Sequence, residues 1–187
     1  VYDSARMLRV LIEGEVVEMD METYLRGVVR AEMPASFAEE ALKAQAVAAR
    51  TYTVYKMEHG GSANHPEADA CDQVTCCKAY RSEEDAAASW GISTSVYEEK
   101  IRKAVAETDG QMVLYDGSPI LAVFHSSSPG ATSNVEDVWQ SSLPYLRSVD
   151  SPETEEAVPN YYSQETFTLT EFKELFIAQY PTANLSG

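Results

Sequence analysis

Apolar and polar residues alternate from Met7 to Glu13, and the alternation resumes from Glu15 to Met19 after Gly14. Because strand side chains face opposite sides in turn, this pattern predicts a β-hairpin turning at Glu13-Gly14. Asp20 is placed to N-cap a helix running to about Met33, where Pro34 stops it for want of an N–H and by steric clash. Ser36-Phe-Ala-Glu39 fits a capping box and opens a second helix, from about Phe37 to Glu58, ending at Gly60-Gly61. Its alanines at 38, 41, 46, 48 and 49 favour helix and permit close packing.

From Ser62 to Trp90 the periodicity is lost among Gly, Ser, Asn, Pro, Cys and charged residues. This segment, within residues 60–91, reads as a long loop or insertion, and a loop of that length needs a reason such as function, metal or disorder. Ser95-Val-Tyr-Glu98 starts a helix to about Glu107, closed by Gly110. A second hairpin is predicted from Gln111–Tyr115 and Pro119–His125 about Asp116-Gly117. Residues 126–159 are rich in Ser, Pro and Gly and read as surface loops, and Thr170–Gln179 forms a last short helix. No internal repeat occurs. The expected fold class is α+β, with helices walling a site, small antiparallel hairpins and a Cys/His-containing insertion. Residues 1–187 are expected to form a single domain.

The chain of 187 residues, 44% of them hydrophobic, can build a real core. Its 30 acidic residues against 14 basic ones give a formal charge of −16, which repels phosphate backbones and anionic lipid. Nucleic acid is therefore excluded as a partner, and a neutral or cationic one suits the surface better. No run approaches the roughly 18 apolar residues of a membrane span. Val1 stands where a Met would begin a chain, so any membrane attachment is expected through an N-terminal anchor absent here.

On the first predicted helix, Leu25, Val28, Val29 and Glu32 share one face by their three- and four-residue spacing. Glu32 thus joins the apolar stripe, apart from an outer face expected to carry Glu22, Arg26 and Arg30. Apolar surroundings favour the protonated form of a carboxyl, the state a general acid needs. A glutamate at a helix end that simply faces water or pairs with an Arg fits the same spacing.

A second cluster is chemical. His65, Cys71, Cys76 and Cys77 supply four soft or borderline ligands within thirteen residues, the number and kind that tetrahedral zinc takes. Adjacent Cys76 and Cys77 require a bent backbone to act together; water, Asp69 or His59 could complete the shell should one fail. A disulfide from Cys71 to Cys76 or Cys77 is the competing reading.

Tyr24-Leu-Arg-Gly-Val-Val-Arg-Ala-Glu-Met-Pro-Ala-Ser-Phe37, followed by Ala41-Leu-Lys-Ala-Gln-Ala-Val-Ala-Ala-Arg-Thr-Tyr52, resembles the stage II sporulation protein D family. Gly110–Tyr115, Phe124-His-Ser-Ser-Ser128 and Pro144-Tyr-Leu-Arg-Ser-Val149 agree in order, so the resemblance runs from about Leu8 to Val149. It implies a lytic transglycosylase of forespore engulfment, cutting peptidoglycan glycan strands between N-acetylmuramic acid and N-acetylglucosamine to leave 1,6-anhydro ends. It further implies strands already stripped of stem peptides by a partner cell-wall amidase, and an extracytoplasmic, membrane-anchored parent.

The family's catalytic glutamate maps onto Glu32 and its activity-linked arginine onto Arg50, eighteen residues later. Gln45 and Tyr52, seven apart on one helix, could both face a sugar. His125, Ser126 and Ser128 follow a predicted strand end; the family reads His-Ser-x-Ser-Gly-Gly there, whereas Pro129 precedes Gly130 here. Adjacent His125 and Ser126 on a strand would point to opposite faces, which argues against a Ser-His hydrolase. Tyr145 and Arg147 match a family segment implicated in activity and would share a side if extended. Some relatives resemble the chain in carrying zinc on His and Cys ligands in the same insertion, which implies a structural zinc on His65, Cys71, Cys76 and Cys77. Family members continue into a Gly-His-Gly-rich segment that is not found before Gly187, so a chain shortened at its C-terminus is expected. Two other readings stand beside the lytic enzyme: a non-catalytic wall binder that enhances an amidase, and a muramidase using water.

Overall fold

In the computed structural model the described residues are 4–139, 141–156, 158 and 161–185. They separate into two compact units, Val1–Phe124 and His125–Gly187. Helices mixed with small sheets make the chain α+β, as the patterning predicts.

The first unit opens with the expected hairpin, β1 (Met7–Ile12) and β2 (Glu15–Asp20), in antiparallel register from Met7 opposite Asp20 to Ile12 opposite Glu15. Glu13 and Gly14 both take positive φ, 51° and 87°, the geometry that lets a two-residue turn match strand twist. Leu8 and Val10 point into the core while Met7 and Arg9 face out. Helix α1 (Met21–Glu32) follows at once, with the Asp20 carboxylate accepting from the Thr23 N–H at 2.7 Å. It ends at Glu32, with Met33 already extended ahead of Pro34.

Helix α2 spans Glu39–Glu58 and starts without a side-chain cap, so the predicted box from Ser36 to Glu39 does not form. The insertion holds more structure than its composition suggests. Strand β3 (Ala70–Cys71) adds to β1 in parallel, opposite Val10 and Leu11. Helix α3 (Glu83–Trp90), capped by Ser82, and a 3-10 turn at Gly91–Ser93 then lead into α4 (Thr94–Glu107). Short α3 was hidden because one buried residue, Ala86, gives no periodic stripe. The second hairpin is only β4 (Leu114–Tyr115) with β5 (Ser118–Pro119), turning at Asp116-Gly117; residues 120–125 are irregular, not strand.

The core of this unit is the packing of α1, α2 and α4 beneath the β1 face. Two buried arginines tie the helices together. Arg30, expected on the outer face of α1, is buried instead: its guanidinium makes a two-pronged pair with Glu98 of α4, both contacts at 2.7 Å. Arg50 of α2 is fully buried and donates to the carbonyls of Thr108, Gln111 and Val105 at 2.6, 3.2 and 3.3 Å. Val105 and Thr108 belong to the last turn and C-cap of α4, where carbonyls lack intrahelical partners, so Arg50 caps that end, and Gln111 lies just beyond it. Lys100 of α4 in turn donates to Ala35 and Phe37 carbonyls, fastening the turn that follows Glu32.

In the second unit, β6 (Gly130–Ala131) pairs with β7 (Asp150–Ser151) within the segment expected to be loops, and α5 (Val135–Val138) is one turn. Helix α6 (Leu169–Gln179) begins at a full capping box between Thr168 and Glu171. No helix among the described residues is long and apolar enough to cross a membrane.

Gly27 shows how tightly α1 is covered. A Cβ there would lie 2.1 Å from the ring of Tyr80, which stacks on Tyr24. Replacement of Gly27 by Ala gains about 1 kcal/mol of helix propensity but must displace that ring. Urea unfolding of Gly27→Ala should therefore show a net loss of about 1–2 kcal/mol; a more stable variant would mean the ring yields freely. Arg50→Met should cost about 2–4 kcal/mol in the same assay, since it strands buried carbonyls. An Arg50→Met chain as stable as the parent would remove the arginine's capping role.

Candidate functional site

The carboxylate of Glu32 sits half-buried at the last residue of α1. Its Oε1 accepts the backbone N–H of Ala79 at 3.0 Å. Five residues back along the helix, the Gly27 carbonyl accepts from the Arg81 N–H at 3.1 Å. The segment from Lys78 to Arg81 is thereby laid along α1, with Tyr80 over Gly27. Tyr80 fits only because Gly27 has no side chain. One oxygen is thus held by a backbone donor, which sets the carboxylate's orientation, and no hydrogen bond to Oε2 occurs among the described residues.

Lys78 is the residue that sequence reasoning missed. Its ammonium lies 4.1 Å from the centre of the Tyr52 ring and 4.0 Å from that of Phe124. Burial lowers its pKa, and the charges of Glu32 and Cys77 oppose that shift. Lys78 thus feels the charge of Glu32 without an ion pair forming between them among the described residues. A lysine after two cysteines carries no spacing signal, and only the fold brings it to the end of α1.

The Cys/His cluster leads directly into this segment. The potential ligand atoms of His65, Cys71, Cys76 and Cys77 all lie within 4.8 Å of one another. All three cysteines are free thiols, so no disulfide forms among them. His65 is buried; its Nε2 is 3.3 Å from the Cys77 sulfur while Nδ1 faces the Ala68 carbonyl at 3.1 Å. A carbonyl on one ring nitrogen fixes the tautomer that leaves the other nitrogen for a metal.

Strand pairing on β1 sets Cys71, with Asp69 and Asp72 on either side accepting the N–H groups of Arg9 and Glu13. Asp69 is thus engaged with Arg9, and His59 stacks on Tyr55, so neither completes the set. Cys76 and Cys77 enter together because the backbone turns there, both N–H groups reaching the Gln73 carbonyl. Burial raises the Cys76 pKa, but hydrogen bonds with Ser62, Cys71, Asn64 and His65 outweigh it and bring the group down to about 6. Burial pushes Cys77 up to about 12 and raises Cys71 as well. Three thiols and an imidazole at this spacing could hold a metal ion, one that prefers sulfur and nitrogen.

Tyr52 joins the two parts of the site: its ring lies under Lys78 and its hydroxyl donates to the Cys76 carbonyl at 3.4 Å, beside Lys56 at 3.2 Å. Gln45, one of the predicted sugar contacts, is buried, and its Nε2 has no partner among the described residues. Arg50 spends its hydrogen bonds on the end of α4, as described above.

The remaining predicted residues belong to the second unit. His125 and Ser126 are exposed and lie in irregular chain. Ser128 is buried; its N–H reaches Glu153 at 2.9 Å and its hydroxyl donates to the Ser151 carbonyl at 3.3 Å, tying the loop to β7. Hydrogen bonds to Ser127 and Ser128 hold the Glu153 carboxyl below its ordinary value. Tyr145 is in a turn closed by the Leu146 N–H on the Leu143 carbonyl, so the extended geometry supposed for Tyr145 and Arg147 does not occur. Arg147 pairs with Glu136 and with the Ser142 hydroxyl.

Comparison with known proteins places this arrangement. The profile of the stage II sporulation protein family matches residues 13–115, which include Glu32, the Cys/His cluster and Lys78. The stage II sporulation protein D of Bacillus subtilis (strain 168) is 41% identical over 159 residues, 85% of this chain and 46% of that protein. That of Bacillus amyloliquefaciens is 38% identical over the same shares. An amidase enhancer of Bacillus subtilis (strain 168) is 39% identical over 122 residues, 65% of this chain and 14% of that protein. The chain spans about half the length of the sporulation proteins it matches. With the motif around Glu32 inside the matched region, the chain belongs to the stage II sporulation protein D family, SpoIID, of sporulation.

Proposed function

We propose that the chain is the lytic transglycosylase part of a peptidoglycan-cleaving sporulation protein, acting outside the cytoplasmic membrane on glycan strands stripped of stem peptides. The observation that carries the reading is Glu32 itself: a half-buried carboxyl ending α1, oriented by the Ala79 N–H, inside the family motif. In this reading Oε2 is the oxygen that exchanges protons with the sugar. As the bond between muramyl C1 and the leaving N-acetylglucosamine oxygen breaks, Glu32 gives that oxygen its proton. The muramyl C6 hydroxyl then bonds to C1 and returns its own proton to Glu32. The product is a 1,6-anhydro ring with no water consumed, so a second carboxylate to activate water is not needed. Tyr52, half-buried with its ring under Lys78, is the group suited to hold sugar, since an aromatic face is a usual way to do so.

For the cluster, zinc is the proposed ion, held by His65, Cys71, Cys76 and Cys77. Its role is structural: four protein ligands leave no open position for chemistry, and a bound ion pins the loop that presents Lys78 and Ala79. Cys71 and Cys77 must lose protons to bind it, so affinity should rise with pH through the neutral range.

A second reading has its own support in the amidase enhancer relative. There the chain binds wall glycan and stimulates a partner amidase without cutting.

Mass analysis of stripped glycan incubated with the chain separates these readings. Anhydro-muramyl ends are expected from the parent, and Glu32→Gln should abolish them while glycan binding persists. Reducing ends would indicate hydrolysis by water, and intact strands would leave the enhancer. Metal analysis of the chain as isolated should find close to one equivalent of zinc, and Cys77→Ser should lose it and unfold at lower temperature. Less than about half an equivalent in the parent would sink the zinc assignment.

A further inference from the structure

Basic groups are scarce in this chain, and most are already committed. Arg9, Arg26, Arg30, Lys43, Arg102, Lys103 and Arg147 pair with carboxylates. Arg50, Lys56, Arg81 and Lys100 donate to backbone carbonyls. Lys78 is held differently. Two aromatic faces, Tyr52 at 4.1 Å and Phe124 at 4.0 Å, fix its ammonium, and no hydrogen bond from it occurs among the described residues. A ring face attracts a cation without neutralising it, so the charge and its three N–H donors stay available to an anion. Glu32 is close by, since it accepts the N–H of the very next residue, Ala79, at 3.0 Å, yet no ion pair between Lys78 and Glu32 occurs among the described residues.

A muramyl residue differs from N-acetylglucosamine by one lactyl group on the sugar. While a stem peptide is attached, the lactyl carbonyl is a neutral amide. Once the peptide is removed, it is a carboxylate. Stripped glycan is therefore anionic, and a protein of charge −16 repels it except where a cation is set out to meet it. An ammonium beside the acid that cuts the muramyl bond is positioned to read that carboxylate.

We propose that Lys78 binds the free lactyl carboxylate of the muramyl residue next to Glu32, and so selects stripped over peptide-bearing glycan. The proposal rests on the glycan-cleaving reading above and adds a specificity-determining residue to it. Lys78 takes no part in bond breaking; its charge-assisted hydrogen bond favours one form of the substrate.

The test uses this chain carrying Glu32→Gln, so that bound glycan is not consumed, and titration calorimetry with three soluble oligosaccharides of equal length. One is stripped glycan with free lactyl carboxylates, one is the same glycan with those carboxylates converted to methyl amides, and one is a neutral N-acetylglucosamine oligomer. The free carboxylate form should bind about tenfold tighter than the amide form. Adding Lys78→Met should erase that ratio while leaving the neutral oligomer's affinity within about twofold, and Lys78→Arg should restore most of it. Circular dichroism confirms folding, and Lys78→Gln serves should the methionine variant not fold. A parent with no preference, a preference surviving in Lys78→Met, or an equal loss for all three sugars overturns the proposal. Failure of the parent chain to release anhydro ends would instead strike the lytic reading, which this binding ratio does not measure.

Discussion

The hydrogen bond from the Ala79 N–H to Oε1 of Glu32 is the contact on which the candidate site depends. It joins residues 47 positions apart and couples the end of α1 to the segment that follows the Cys/His cluster. On one side is α1, whose end is set by Pro34 and by Lys100 gripping the turn beyond it. On the other is the Cys/His loop, whose last cysteine, Cys77, stands two residues before Ala79. Whatever orders the loop also orders the partner of the carboxylate. Backbone donors suit this task because, unlike a long side chain, they lose little freedom on being fixed.

The segment that delivers this N–H is itself held by complementary shape. Gly27 leaves the space that Tyr80 fills, Tyr24 stacks on the same ring, and Arg81 donates to the Gly27 carbonyl. Close packing of this kind tolerates little change in volume. Beneath it, Arg30 with Glu98 and Arg50 on the end of α4 satisfy groups that burial would otherwise make costly. Both arginines read as surface or site residues in the sequence, where charge is the visible property and burial is not.

Much of the scaffold was nonetheless legible. The first hairpin, the span of α1 with its Asp20 cap, the body of α2 and the helix to Glu107 all follow from periodicity and from Gly and Pro punctuation. So did the gathering of His65 with three cysteines, because ligands within thirteen residues can meet through local folding alone. The second hairpin was drawn too long and α3 was passed over, because two-residue strands and an eight-residue helix with one buried side chain leave almost no periodic trace.

The sequence by itself therefore determined the family, the helix that ends at Glu32 and the gathering of His65 with three cysteines, each encoded in residues near one another along the chain. Tertiary structure alone decided what surrounds the acid. Lys78 between Tyr52 and Phe124, Ala79 on Glu32, and Tyr80 in the notch of Gly27 are all long-range contacts. They arise when β3 docks in parallel on β1 and the chain after Cys77 runs back along α1. Such contacts depend on where elements pack, and packing geometry is not written in the spacing of residues along any one of them.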